Sequence, residues 1–247
     1  MSVLLQRHED AVRKGRPVDP SRRQAVAAGV LFIVATVASL VTGPLLAPAK
    51  DPDLAAAAAG HQAQVSTGVL LGYIAALAAP GIAIALYPVL RRFAEGLALG
   101  AVAFRIIEGV FYALNMTVLL SLWTLSREFV DAGAPADQHF RTLGHTLRAQ
   151  YDWIGDTGML FAFTVGALLY YVVFFRSQLI PRWLSAWGIA GAVLLMGAAV
   201  LVTFGVIAPM SAVQVALAIP IGVQELVLAV WLIVRGFNPA VLASRTG

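Results

Sequence analysis

Six stretches of the chain are almost wholly apolar: Ala25–Leu46, Val65–Leu90, Leu97–Trp123, Tyr151–Phe175, Trp183–Ile207 and Ser211–Val234. A helix needs about 20 mostly apolar residues to cross a hydrocarbon core of about 30 Å, and each stretch meets that length. Gly205 and Pro209 mark the turn between the last two. The pattern predicts an all-α polytopic membrane protein with six transmembrane helices in one bundle, spanning residues 25–235. A polar basic arm (1–24) precedes the bundle and a short tail (236–247) follows it. The first apolar run is longer than the roughly 7–15 residues of a signal-peptide core, so it reads as an uncleaved span despite the Ala-Pro-Ala at 47–49.

Two segments between spans carry helical patterning of their own. Asp51–Val65 is rich in alanine and predicts a helix capped by an aspartate. In Asp137–Tyr151, Phe140, Leu143 and Leu147 fall on one face. Opposite them runs a polar stripe of Gln138, Arg141, His145, Arg148, Asp152 and Asp156, which continues into the fourth span. The spacing predicts one helix projecting beyond the membrane, or an interfacial helix bent at Tyr151.

Composition strengthens the membrane reading. The chain of 247 residues is 60% hydrophobic and 12% charged, about half the charge of an average soluble domain. Its net charge of +4 does not point to nucleic acid, because the basic residues sit mostly between or before the spans. With the N-terminus inside, 12 of the 17 Lys+Arg fall in inner segments and four in outer ones. That bias predicts a multi-pass protein of the cell membrane with both termini cytoplasmic. The lipid bilayer is then its first partner. Cysteine is absent, which removes thiol nucleophiles, thiolate metal sites and disulfides. No cofactor is expected: all four histidines lie outside the spans, where they cannot ligate a buried haem, and no nucleotide-binding or hydrolase motif occurs.

The chemistry lies in the charges inside the spans. Arg105, Glu108, Tyr112 and Asn115 form one stripe on the third span. At about 1.5 Å per residue, Arg105 is roughly 13 Å deep, Glu108 roughly 18 Å and Glu225 of the sixth span roughly 15 Å. A charge at a helix centre costs about 2.5–3.5 kcal/mol, so these groups are expected to face inward and pair. One guanidinium between two carboxylates leaves one negative charge to be compensated. Gln224 and Glu225 lie just after Pro220, which either unwinds the helix into a ligand-coordinating segment or only kinks it. The expected binding cluster is Arg105, Glu108, Tyr112, Asn115, Gln224 and Glu225.

Three readings follow. The cluster binds a small molecule, a lipid or a transported ion, with a proton coupled to the surplus carboxylate. Alternatively, it only fixes helix packing. A third reading places a metal-dependent hydrolase on the outer side, with His61, His145 and Asp152 as the candidate ligands and Asp156 one turn beyond. That last pattern lacks HExxH or any close histidine pair.

The segment "FFRSQLIPRWLSAWGIAGAVLL" (Phe174–Leu195), together with "AFRIIEGVFYAL" and the "YDW" at Tyr151–Trp153, resembles the bacterial domain of unknown function 4386 family. The likeness covers roughly Ala25 to Val234 and is most specific in the R-S-x-x-I-P-R-W-L-S string. It implies a multi-pass integral membrane protein without an assigned activity, so no catalytic residue is carried over. It also implies that Arg105, Glu108 and Asp152 are characteristic polar positions, and that Pro181-Arg182-Trp183 starts a helix at the inner interface.

Overall fold

A computed structural model describes residues 20–58, 62–133 and 138–244. Among these there is no strand. The principal helices are α1 (Pro20–Leu46), α2 (Leu54–Ala58), α3 (Gln62–Asp131), α4 (Gln138–Trp153), α5 (Leu160–Ser177), α6 (Arg182–Thr203), α7 (Ala212–Val234) and α8 (Pro239–Ala243). A π-helical segment, Ile154–Met159, joins α4 to α5 without a break. Five helices, counting α4 through α5 as one, are long and apolar enough to cross a membrane. This is the architecture of a multi-pass membrane protein.

Where the apolar pattern separates 65–90 from 97–123, the structure has one 70-residue element. Ala94 (φ −158°, ψ 87°) is non-helical and divides it into limbs 62–93 and 95–131. The limbs fold back on each other: Arg105 Nε donates to the Ala79 carbonyl at 3.3 Å, and the Tyr73 and Thr117 hydroxyls lie 3.2 Å apart. Gly109 permits that approach, since a Cβ there would stand 2.5 Å from the Ala76 carbonyl. With no aqueous solvent to drive helices together in lipid, such small-residue contacts carry association. Side chains such as Leu77, Leu99 and Ile219 point outward instead, as a lipid-facing surface requires.

The chain therefore passes up and down the bundle, and the described ends of α1 and α7 meet. Arg22 donates to the Leu232 carbonyl at 2.9 Å and also to that of Ile233, satisfying carbonyls that the end of α7 leaves open. At the same end Gln178 adopts a left-handed conformation that closes α5, and Pro181 precedes α6. We call this the terminal end. The opposite, loop end carries α2, the end of α3 and the 203–212 turn. Asp53 there accepts from the Ala55 amide at the start of α2, the aspartate cap that the sequence predicts. The fifth apolar stretch stops being helical at Thr203, four residues early, and Gly205 and Met210 turn with positive φ. The helix predicted over Asp137–Tyr151 continues without interruption through Tyr151, and the π segment begins at Ile154.

Candidate functional site

Limb 95–131 presents Arg105, Glu108, Tyr112 and Asn115 to the interior at the spacing read from the sequence. Arg105 and Glu108 are 2% and 7% exposed, with Arg105 Nη1 2.9 Å from Glu108 Oε2. The guanidinium also lies 5.0 Å above the Phe163 ring. A carboxylate, a backbone carbonyl and an aromatic face hold the buried arginine, while Nη1 and Oε2 meet as an ion pair without hydrogen-bond geometry. Its interactions come from its own helix, the neighbouring limb and α5.

Glu225 comes to the same place from α7. Arg105, Glu108, Tyr112 and Glu225 all line one cavity of about 260 Å³, whose remaining wall is largely apolar and includes Leu160, Leu195 and Ile221. Glu225 is within Coulombic reach of Arg105. Among the described residues, though, its hydrogen-bonding partner is the Tyr170 hydroxyl, which donates to Oε1 at 3.4 Å. The surplus carboxylate counted from the sequence thus receives a hydrogen bond from a neutral phenol, which leaves its charge in place.

Gln224 does not join this group. It is fully buried, accepts from the Tyr171 hydroxyl and donates to the Leu184 carbonyl at 3.0 Å. It ties α7 to α5 and α6 and is not among the residues lining this cavity. The helix stays regular across Pro220, so the unwound segment weighed from the sequence is not formed.

A second cavity, about 380 Å³, lies nearer the loop end. Its lining includes Lys50, Asn115, Tyr151, Asp152, Asp156 and Gln214. It shares Ser39, Tyr112, Met159, Leu160, Leu195 and Ala218 with the deeper cavity, so the two are contiguous. The Tyr112 hydroxyl donates to Ser39 Oγ at 3.2 Å where they meet. Asp156 sits in the π segment and accepts from Gln214 Nε2 at 2.9 Å. Such π segments recur at functional sites because they re-aim side chains within a helix. Lys50 stands over the Tyr151 ring, 5.5 Å from its centroid. Asn115 is 5% exposed, and its Oδ1 has no hydrogen-bond partner among the described residues.

The outer polar stripe is divided between cavities. Arg141, His145 and Arg148 line a third one with Asp53, while Asp152 and Asp156 line the 380 Å³ cavity. Arg148 reaches the carbonyls of Lys50 and Asp51 and pins the loop after α1. Among the described residues no three histidine, aspartate or glutamate side chains group as metal ligands would. His61 lies outside the described residues, as does most of the basic arm.

Sequence reasoning missed Tyr170, Tyr171, Ser39 and Lys50. Aromatics within an apolar run carry no periodic signal of their own, and a single serine in α1 has none either. Only the juxtaposition of helices distant in sequence reveals them.

Comparison with curated proteins and with solved structures returned no match. The family described as "Domain of unknown function (DUF4386)" matches residues 27–236, and the chain belongs to that family.

Proposed function

We propose that this protein crosses the cell membrane six times, with both termini cytoplasmic, and takes a small molecule into a site built on Arg105, Glu108 and Glu225. The two limbs of α3 count as separate crossings in this reading, divided at Ala94. The basic residues near the terminal end support the orientation.

The observation that supports binding over packing is the position of Glu225. It lines a cavity and, among the described residues, has a phenol at 3.4 Å as its hydrogen-bond donor, whereas Arg105 and Glu108 neutralise each other 2.9 Å apart. A carboxylate kept only for packing would be paired, because an uncompensated charge in hydrocarbon is costly. One held ready for a ligand or a transported proton remains free on one side and burdens the protein when nothing is bound.

Thermal unfolding of the purified protein in lipid nanodiscs tests this without knowledge of the ligand. Glu108→Gln breaks a buried ion pair and is expected to cost about 3–5 kcal/mol. Glu225→Gln removes a surplus charge, keeps an acceptor for Tyr170, and is expected to raise the unfolding temperature. If Glu225→Gln destabilises as severely as Glu108→Gln, Glu225 belongs to a packing lock and the binding reading is lost.

A further inference from the structure

The chemical class of the guest follows from which polar groups along the two joined cavities already have partners. Arg105, Gln214 and Tyr112 already direct donors at groups of the protein. Arg105 holds Glu108, the Ala79 carbonyl and the Phe163 ring; Gln214 Nε2 holds Asp156; the Tyr112 hydroxyl holds Ser39. Lys50 already stands over Tyr151. What remains on the walls is a set of acceptors: the rest of the Glu225 carboxylate, Asp152, the second oxygen of Asp156, and Asn115 Oδ1, which is buried and unpartnered among the described residues. Glu108, Glu225, Asp152 and Asp156 set four carboxylates against the charges of Arg105 and Lys50. The rest of the lining is mostly apolar, including Met116, Met159, Leu160, Phe163, Leu195 and Ile221.

An anion would meet surplus like charge, and its one buried cation, Arg105, is already neutralised. A hydrophilic metal ion would meet apolar walls with too few oxygens at any one point. A cation that carries its charge on an apolar body suits both features, because the body replaces lipid-like contacts and the charge replaces the missing counter-ion of Glu225. The chain supplies an internal precedent: the Lys50 ammonium lies over an aromatic ring in the cavity of Asp152 and Asp156.

We propose that the guest is a lipophilic organic cation, received first among Asp152, Asp156 and Asn115 and then held against Glu225. This rests on the binding reading above and narrows it to one charge class.

The test uses shape-matched probes: tetraphenylphosphonium, tetraphenylborate, and neutral triphenylphosphine oxide. Each is measured by equilibrium dialysis against the full chain in phosphatidylcholine nanodiscs, with protein-free discs as reference. Wild type should bind the phosphonium at least about tenfold more tightly than either other probe, and Glu225→Gln should lose about that factor. Asp152→Asn, at the half-buried mouth, should also weaken phosphonium binding, by about threefold, a second readout that does not depend on Glu225→Gln. Equal or tighter binding of the borate or the neutral oxide overturns the charge class. So does failure of all three probes to bind, or an unaltered affinity in both variants. If Glu225→Gln is nevertheless more stable than wild type, the loss falls on the charge class alone; if it is destabilised, the binding reading falls with it.

Discussion

A Cβ placed on Gly29 of α1 would stand 2.7 Å from the Ala229 carbonyl of α7, yet two turns along α7, Gly222 has nothing within 4 Å. The same two helices are thus in contact near the terminal end and apart toward the loop end. In the closed half, Phe32, Tyr170, Tyr171 and Phe174 are at most 1% exposed, and Gln224 is bonded on both sides. In the open half the wedge between α1 and α7 holds the two contiguous cavities, with Ser39, Leu40 and Gly43 on one wall and Ala218, Gly222 and Glu225 on the other. Both halves use glycine and apolar residues freely, so composition does not separate them. What separates them is whether large aromatic side chains from α5 fill the space between helices. In lipid, where apolar burial gives no preference for protein over tail, contact and hydrogen bonds decide stability. Stability is therefore concentrated in the closed half, and the open half is free to hold charge.

Gly29→Leu attacks the closed half most directly. The new side chain meets a backbone carbonyl that cannot move without shifting α7, and it meets Ile233 at a similar distance. Overpacking of this kind is expected to cost about 3 kcal/mol, read as a lowered unfolding temperature in nanodiscs. A variant as stable as wild type would mean the two helices are not fixed at this end. Gln224→Leu should come next. It removes the hydrogen bonds that Gln224 makes with the Tyr171 hydroxyl and the Leu184 carbonyl, a loss of about 2 kcal/mol by urea or thermal unfolding. Since Gln224 does not line the cavities, binding of any guest should survive this change at temperatures where the variant is folded.

The neighbouring residues Gln224 and Glu225 also show how far the sequence could be read. The apolar periodicity yields the helices, and the rise per residue places Glu225 level with Arg105, since both follow from geometry within one helix. The direction each side chain faces does not. A residue's rotation about α7 depends on packing against α1 and α6, so Gln224 was grouped with Glu225 although one turns to Tyr171 and the other to the cavity. For the same reason the Asp152 and Asp156 pair looked separate from the Arg105 stripe. Their union requires Tyr112, Ser39 and the π segment to meet, and no spacing within a single helix encodes that. The break at Ala94 lies within the polar gap between two apolar stretches, where the pattern had already ended one helix.

The smallest expected effect is also the most pointed comparison, because it repeats the glycine-to-leucine change seven residues from the Gly29 contact. Gly222 lies in the helix interior with open space where its Cβ would be. Replacing glycine there removes backbone freedom from the unfolded chain, and leucine is a strong helix former. Gly222→Leu should therefore gain up to about 1 kcal/mol where Gly29→Leu loses several times that. The added side chain would project into the wedge beside Glu225 and occupy volume that a guest needs. Stability and binding are then expected to move in opposite directions: a higher unfolding temperature together with weaker uptake of tetraphenylphosphonium. A closed half and an open half that differ only by chance packing would not couple the two readouts. Loss of stability at Gly222 comparable to that at Gly29 would show that α1 and α7 close along their whole length, and the contrast between the halves would be gone.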